Sequence, residues 1–213
     1  MPVFIKDDRA VLFVHVPKAG GSAIEKHFRS AGYTMHYRDG KTGPGTLNKY
    51  QQCSPQHLHA ALCAELLRLD RFDAIFTIVR EPLARFRSEY SMRAKTRLED
   101  GTRHLDTSAA AVEHWATKVM KRYLKDPYVH DNHLRPQSEF VVPGSLVHRL
   151  EDGMGQLMTR LNQAYELDLP DMVEKVRTSE HVSGVASSDV ELSPALESRL
   201  RDFYADDFAN FGY

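Results

Sequence analysis

The chain has 213 residues, of which 42% are hydrophobic and 27% charged, a composition typical of a globular protein. Its formal net charge of −1 excludes a global basic field that would draw it to nucleic acid or an anionic membrane, so any anion site must be local. This length fits one domain over residues 1–213. Apolar runs fall far short of the about 20 residues of a membrane span. Together with two cysteines expected to be reduced, this predicts a cytoplasmic protein.

Strand and helix patterns alternate along the chain. A buried strand at 11–16 runs into a glycine turn and then into a helix, which Ser22 would cap and Gly32 would end. Further strands are predicted at 74–79, 140–142 and 146–150, and further helices after Ser54-Pro55, after Pro82, and near 112–123, 153–166 and 194–210. Residues 38–52 and 93–107 are predicted to be loops. This alternation predicts an α/β fold with a mostly parallel sheet.

The segment HVPKAGGSAIEKHF, residues 15–28, places a lysine and a glycine pair between the first strand and its helix. Lys18 precedes Gly20 and Gly21, and Ser22 follows them, whereas a Walker loop carries its lysine after the glycines. Backbone N–H groups at a helix N-terminus favour a phosphate, and Lys18 would add a full charge. A tight turn with a solvated lysine is the simpler alternative.

The segment VREPLARFRSEY, residues 79–90, places Arg80 at the end of a predicted strand and Ser88 about two helical turns later. In a parallel sheet such strand ends line the ligand crevice, where an arginine can donate two hydrogen bonds to a phosphate. The alternative is a surface ion pair between Arg80 and Glu81 or Glu89. An arginine where an ATPase often carries an acidic metal ligand argues against Mg-ATP.

Several segments together resemble a known family, the sulfotransferases. FVHVPKAGGSAIEKHF (13–28) is similar to their 5′-phosphosulfate-binding segment, and IVREPLARFRSEY (78–90) to their 3′-phosphate-binding segment. SPQHLHA (54–60), NHLRPQ (132–137) and the ending DFYADDFANFGY extend the similarity. The combination resembles sulfotransferase family 2, the carbohydrate-directed branch, in a short bacterial form.

The resemblance implies a P-loop NTPase-like parallel sheet flanked by helices, and 3′-phosphoadenosine-5′-phosphosulfate (PAPS) as donor, with 3′,5′-ADP as product and no metal. It implies that Lys18 also acts catalytically, by steadying the bridging oxygen as the sulfuryl group leaves. Arg80 and Ser88 would hold the 3′-phosphate. The positions matched to donor binding are Lys18, Ala19, Gly20, Gly21, Ser22, Ala23, Arg80 and Ser88.

Transfer to an alcohol needs a group that accepts the hydroxyl proton, and two histidines compete for this role. His57 and His59 fall in the first turn of the helix expected after Ser54-Pro55, where the positive helix end favours neutral imidazole. Only one of them should face the donor. The resemblance favours His57, while His59 remains its rival and a candidate for acceptor binding.

The stretch around His133 carries further candidates for the acceptor site, namely His133, Arg135 and Gln137. His130 and His133 also invite a metal interpretation, but they lack further ligands at zinc-like spacing, and we expect no metal. We expect the acceptor to be a hydroxyl-bearing glycan or glycoconjugate. Two other functions stay open at this point: a P-loop small-molecule kinase using Mg-ATP, and a non-catalytic nucleotide- or glycan-binding module.

Overall fold

A five-stranded sheet forms the centre of the protein in a computed structural model, which describes residues 2–39, 41, 43–97, 103–171 and 185–213. The strands in chain order are β1 (Val3–Lys6), β2 (Arg9–Val14), β3 (Thr34–His36), β4 (Ala74–Val79), a small separate hairpin of β5 (Thr96–Arg97) and β6 (Arg103–His104), and β7 (Leu146–Arg149). The sheet order is β3-β1-β2-β4-β7, and only β1 runs against the other four strands. The expected α/β fold with a mostly parallel sheet is confirmed.

Helices flank this sheet. They are α1 (Gly21–Ser30), α2 (Ala60–Leu66), α3 (Pro82–Arg93), α4 (Ala109–Tyr123), α5 (Met154–Tyr165), α6 (Pro194–Phe203) and α7 (Ala205–Phe211). Proline in the first turn fixes the start of α3, where the Glu81 carboxylate accepts hydrogen bonds from the backbone N–H groups of Leu83 and Ala84. Among the described helices, none combines the length and the apolar character needed to cross a bilayer.

The pairing of β2 with β4 positions the two segments singled out in the sequence. The strands are parallel, with Val14 opposite Thr77, so both chains leave the sheet at the same edge. The Thr77 hydroxyl donates to the Val14 carbonyl at 2.7 Å, and the rings of Phe13 and Phe76 stack at 4.9 Å between centroids. The glycine turn after β2 and Arg80 after β4 therefore lie side by side.

Two predicted helix starts are wrong. The N-cap position of α1 is occupied by Gly20, and among the described residues no side chain caps this helix. Ser22 lies inside α1 and does not cap it. After Ser54 the chain makes only a 3-10 turn, Pro55–His57, and α2 begins later, at Ala60. The Ser54 hydroxyl is occupied elsewhere, because it donates to Asp131 at 2.7 Å.

Three further expectations need correction. Residues 140–142 do not form a strand, since a 3-10 turn at Gln137–Phe140 precedes β7. The helix predicted over 194–210 is two helices that meet at Tyr204. The stretch 93–107 contains the β5–β6 hairpin, and its residues 98–102 lie outside the described chain. The sequence interpretation also missed β1 and β3, which are too short and mixed in polarity to show a clear pattern.

The C-terminal helices hold the segment that precedes β7. Asp207 is fully buried, and its carboxylate accepts hydrogen bonds from the backbone N–H groups of Gln137 and Ser138 at 2.9 and 2.8 Å, and from the Ser138 hydroxyl. Nearby, the Tyr204 hydroxyl donates to the Leu134 carbonyl at 3.0 Å, and the Arg85 guanidinium lies 5.1 Å from the centre of the Tyr204 ring. Residues 134–138 are thus fixed by polar contacts from the end of the chain.

We expect Asp207→Asn to destabilise the fold by about 1.5–3 kcal/mol, because an amide replaces a buried carboxylate that accepts three hydrogen bonds. Urea denaturation measures the change in unfolding free energy. The matched control is Asp202→Asn at an exposed position, expected to shift that free energy by less than about 0.5 kcal/mol. Equal effects of the two substitutions would contradict the assigned role of Asp207.

Candidate active site

The turn between β2 and α1 is built for close backbone packing. Lys18 and Gly20 both adopt positive φ angles, 69° and 86°. A Cβ atom on Gly20 would lie 2.7 Å from the Met154 side chain, and one on Gly21 would lie 2.0 Å from Nε2 of His15. Both glycines are therefore required by their surroundings, and the turn leads directly into the N-terminus of α1.

Two cations meet at this turn. Nη1 of Arg80 lies 3.4 Å from the Lys18 carbonyl oxygen, and Nζ of Lys18 lies 3.6 Å from Sδ of Met92. Burial lowers the pKa of Lys18, and the nearby charge of Arg80 lowers it further against an opposing effect of Glu89. Burial likewise lowers the pKa of Arg80. Desolvation disfavours the charged forms of both side chains, and the charge of Arg80 further disfavours that of Lys18. A bound anion would therefore stabilise both cations.

Ser22 and Ser88 differ in accessibility. Ser22 is exposed in the first turn of α1, while Ser88 is 4% exposed on α3. Ala19 is buried, Ala23 in α1 is partly buried, and their backbone N–H groups already donate to the carbonyl oxygens of Val16 and Gly20 at 3.4 and 3.1 Å. The structure therefore brings the glycine turn, Lys18 and Arg80 together, and it places Ser88 in the helix that follows Arg80.

Gln137 fixes the backbone of Arg80. The Gln137 side chain accepts a hydrogen bond from the Arg80 N–H at 2.8 Å and donates one to the Arg80 carbonyl at 2.7 Å. Gln137 is fully buried, so its amide is already committed within the protein. Its predicted contact with an acceptor remains untested, and the geometry gives it a positioning role at the end of β4.

His57 forms a buried pair with a carboxylate that the sequence interpretation did not single out. Its Nδ1 lies 2.7 Å from Oδ2 of Asp131, and Asp131 also accepts hydrogen bonds from the backbone N–H and hydroxyl of Ser54. Burial lowers the pKa of His57 to about 4, although Asp131 favours the charged form. For Asp131 burial acts to raise the pKa, but the contacts from His57 and Ser54 outweigh it and the pKa is lowered. The pair is therefore neutral imidazole beside ionised carboxylate.

Three imidazoles lie in a row through His57. The rings of His15 and His57 are 5.1 Å apart between centroids, and those of His57 and His133 are 4.9 Å apart, both edge to face. His15 lies between Gly21 and His57, since its Nε2 occupies the space that a Cβ on Gly21 would need. The row therefore connects the glycine turn to the predicted base.

His59 faces a different environment. It immediately precedes α2, and its ring packs edge to face on Tyr128 at 5.8 Å. Burial lowers the pKa of His59 to about 4, and Nδ1 has no hydrogen-bond partner within the described part of the chain. Arg135 lies on the same side, with its guanidinium 5.0 Å from the centre of the Tyr128 ring. His57, not His59, thus shares the row with His15 and His133.

The described residues also contain one group with the composition of a metal site, formed by His57, Asp131 and His133. Each offers a ligand atom within 4.8 Å of the others. Both Asp131 oxygens already accept hydrogen bonds, from Ser54 and His57, and Nδ1 of His133 lies 2.6 Å from the Glu89 carboxylate. The expectation of a metal-free site is not tested by this arrangement.

The comparison with protein-family models identifies the chain's family. The model described as "Sulfotransferase family" matches residues 1–213, the whole chain. The chain belongs to the sulfotransferase family. A search of curated proteins and a search of solved structures each found no match. Family membership supports an enzyme that transfers a sulfuryl group, with a hydroxyl-bearing molecule as acceptor.

The sequence interpretation of this sulfotransferase missed His15 and Asp131, and it named Glu89 only as a possible ion-pair partner of Arg80, whereas Glu89 pairs with His133 and Arg93. His15 and Glu89 lie inside the two quoted segments, but neither matched a binding pattern. Asp131 lies between His130 and Asn132, a run in which all three residues have positive φ. Such a run of left-handed residues is visible only in the structure.

We expect Gly21→Ala to destabilise the sulfotransferase by about 1–3 kcal/mol, because the added methyl group would overlap the His15 imidazole. Urea denaturation measures this change. The control is Gly43→Ala, where no atom of the described residues beyond its chain neighbours lies within 4 Å of the added Cβ, and we expect a change below about 0.5 kcal/mol. If Gly21→Ala is as stable as the control variant, the His15 imidazole does not pack against Gly21 as described.

Proposed function

We propose that this sulfotransferase moves the sulfuryl group from PAPS to a hydroxyl group of a carbohydrate, by metal-free in-line transfer with His57 as general base. The observation that carries the proposal is the contact of His15 with both Gly21 and His57. This contact puts a neutral imidazole beside a cationic turn at the carboxyl ends of parallel strands. The proposal includes a P-loop NTPase-like arrangement of that turn.

The donor would bind through the glycine turn and the two half-buried cations, Lys18 and Arg80. When bound, the donor supplies an activated sulfuryl group on a phosphate leaving group. Lys18 and the backbone N–H groups of residues 20–22 stabilise negative charge at the bridging oxygen, and the Ser22 hydroxyl is exposed beside them. Arg80 and Ser88 hold the 3′-phosphate, and Gln137 fixes the backbone from which Arg80 extends.

His57 would take the proton of the acceptor hydroxyl. The ionised Asp131 can only accept a hydrogen bond, so Nδ1 of His57 carries the hydrogen and Nε2 is the free base. As the acceptor oxygen bonds to sulfur, its proton moves to Nε2 of His57. The bond from sulfur to the bridging oxygen breaks, and the electron pair stays on the phosphate of 3′,5′-ADP. Asp131 stabilises the imidazolium that forms.

A carbohydrate acceptor is supported by an apolar cavity of about 490 Å³ next to the 3-10 turn that carries His57. Pro55 and Leu58 line this cavity, together with the exposed rings of Tyr37 and Tyr50. Exposed aromatic rings provide a flat surface on which the apolar face of a sugar can stack. A cytoplasmic location belongs to the same proposal and is supported by two buried cysteines that are both free thiols.

The donor assignment predicts selective stabilisation by 3′,5′-ADP in a thermal-shift titration against 5′-AMP, 5′-ADP and Mg-ATP. Saturation at 100 times the dissociation constant adds about 2.7 kcal/mol, which raises the melting temperature by roughly 5–10 °C for a chain of this size. A preference for Mg-ATP would favour a kinase instead. If no nucleotide raises the melting temperature, neither the PAPS-dependent sulfotransferase nor the kinase is supported.

Arg80→Ala should weaken 3′,5′-ADP binding about 10- to 150-fold, because a charge-assisted hydrogen bond worth about 1.5–3 kcal/mol is lost. Isothermal titration calorimetry measures the affinity. The control is Arg68→Ala, which removes an exposed arginine that pairs with Asp70 and should leave the affinity unchanged. If both variants bind alike, Arg80 does not contact the donor.

His57→Ala should lower turnover about 10²- to 10⁴-fold and leave 3′,5′-ADP binding intact, because it removes a base and no donor contact. His59→Ala is the matched control, with little loss expected. In the wild type, burial lowers the pKa of His57 to about 4, and the active form is the neutral one. The rate should therefore stay level down to about pH 5 and fall as the pH drops through about 4. An acid limb near pH 6.5 would contradict a buried base.

A further inference from the structure

Helix α3 holds His133 at two points. Glu89 accepts a hydrogen bond from Nδ1 of His133 at 2.6 Å, and Nη1 of Arg85 donates to the His133 carbonyl oxygen at 3.0 Å. Glu89 and Arg85 are each 1% exposed and stand one turn apart on the helix. Arg85 also donates to the Arg135 carbonyl at 2.8 Å, so both the backbone and the ring of His133 have fixed positions.

The ring of His133 is held like that of His57, because Nδ1 of each histidine bonds to a carboxylate. Contacts with His133, His130 and Arg93 lower the pKa of Glu89 against the effect of burial, so its carboxylate is ionised and can only accept a hydrogen bond. Nδ1 of His133 therefore carries the hydrogen, and burial keeps the ring neutral by lowering its pKa. In both rings Nε2 is then an unprotonated acceptor.

These two Nε2 atoms are available to a ligand. Neither has a hydrogen-bond partner among the described residues, and His57 and His133 each keep 8% of their surface exposed. Neither atom is found among the fully buried polar atoms that lack a partner in the described chain. The two ring centres are 4.9 Å apart and the rings meet edge to face, so both acceptors belong to one small site.

We propose that His133 is a specificity-determining residue, which binds a second hydroxyl of the acceptor beside the one that His57 deprotonates. The acceptor class is then a compound with two adjacent hydroxyl groups, a 1,2-diol of the kind that sugar rings carry. This inference rests on the proposed function. Two neutral acceptors on rings whose centres are 4.9 Å apart can receive two neighbouring O–H donors, each bond being about 2.8 Å long.

In the reaction only one of the two hydroxyls changes. Its oxygen forms the new bond to sulfur, its proton moves to Nε2 of His57, and the bond between sulfur and the bridging oxygen breaks with its electron pair on 3′,5′-ADP. The second hydroxyl keeps its proton and donates it in a hydrogen bond to Nε2 of His133. A methyl ether at this second position cannot donate, and it leaves the acceptor nitrogen unpaired.

The test compares cis-cyclohexane-1,2-diol with its monomethyl ether, cis-2-methoxycyclohexanol, as acceptors for radiolabelled PAPS. We expect the wild type to favour the diol in kcat/KM about 5- to 100-fold, the cost of an unpaired buried acceptor. His133→Leu removes the acceptor nitrogen and should abolish the preference. His133→Gln places an amide near the position of Nε2 and should keep part of it.

Glu89→Gln is the second variant, and it keeps the ring of His133 in place. Its amide can donate to Nδ1 of His133, so the imidazole can carry its hydrogen on Nε2, and the diol preference should shrink without loss of the fold. Binding of 3′,5′-ADP is measured in every sample as a check on folding and on the donor site.

The outcomes separate the two proposals. If the wild type transfers equally to diol and ether, or to neither, the diol proposal is overturned. If the wild type still binds 3′,5′-ADP in that case, the proposed sulfotransfer is unaffected. If the wild type shows neither the diol preference nor 3′,5′-ADP binding, both proposals are overturned. A diol preference that survives in His133→Leu also overturns the role of His133.

Discussion

The close approach of the His15 ring to Gly21 is the contact on which the arrangement of the site depends. It occurs because Gly21 has no Cβ, and it joins the turn that carries Lys18 to the row of imidazoles that contains His57. The parallel pairing of β2 and β4 adds Arg80 to the same edge. The glycine turn and His57 could otherwise form independently, but this packing fixes the distance between them.

Helix α3 serves both halves of the site. Arg80 precedes it and Ser88 lies on it, and both belong to the proposed donor site, while Arg85 and Glu89 hold His133 of the proposed acceptor site. A single rigid element therefore sets the position of groups that would contact different substrates. Buried charges are costly unless they are paired. Glu89 pairs with Arg93 and His133, whereas Arg85 donates to two backbone carbonyl oxygens and its Nε has no partner among the described residues.

The sequence predicted the part of the site that depends on local pattern. Strands β2 and β4 and the glycine turn follow from short-range signals, and they place Lys18 and Arg80 correctly at one edge. The partners of the histidines could not be predicted, because Asp131 is 74 residues from His57 and Glu89 is 44 residues from His133. The reason given for a neutral His57 was also wrong, since burial and not a helix end keeps its ring uncharged.

The hydrogen bonds of Asp207 connect, through the segment 134–138, to Arg80. Asp207 on α7 bonds the backbone of Gln137, and the Gln137 side chain in turn bonds both backbone groups of Arg80. Three residues from distant parts of the chain thus form one continuous line of hydrogen bonds, which ends at a cation of the proposed donor site. The last helix therefore supports this site from a distance, and sequence variation far from any ligand would change how tightly the proposed nucleotide donor is held.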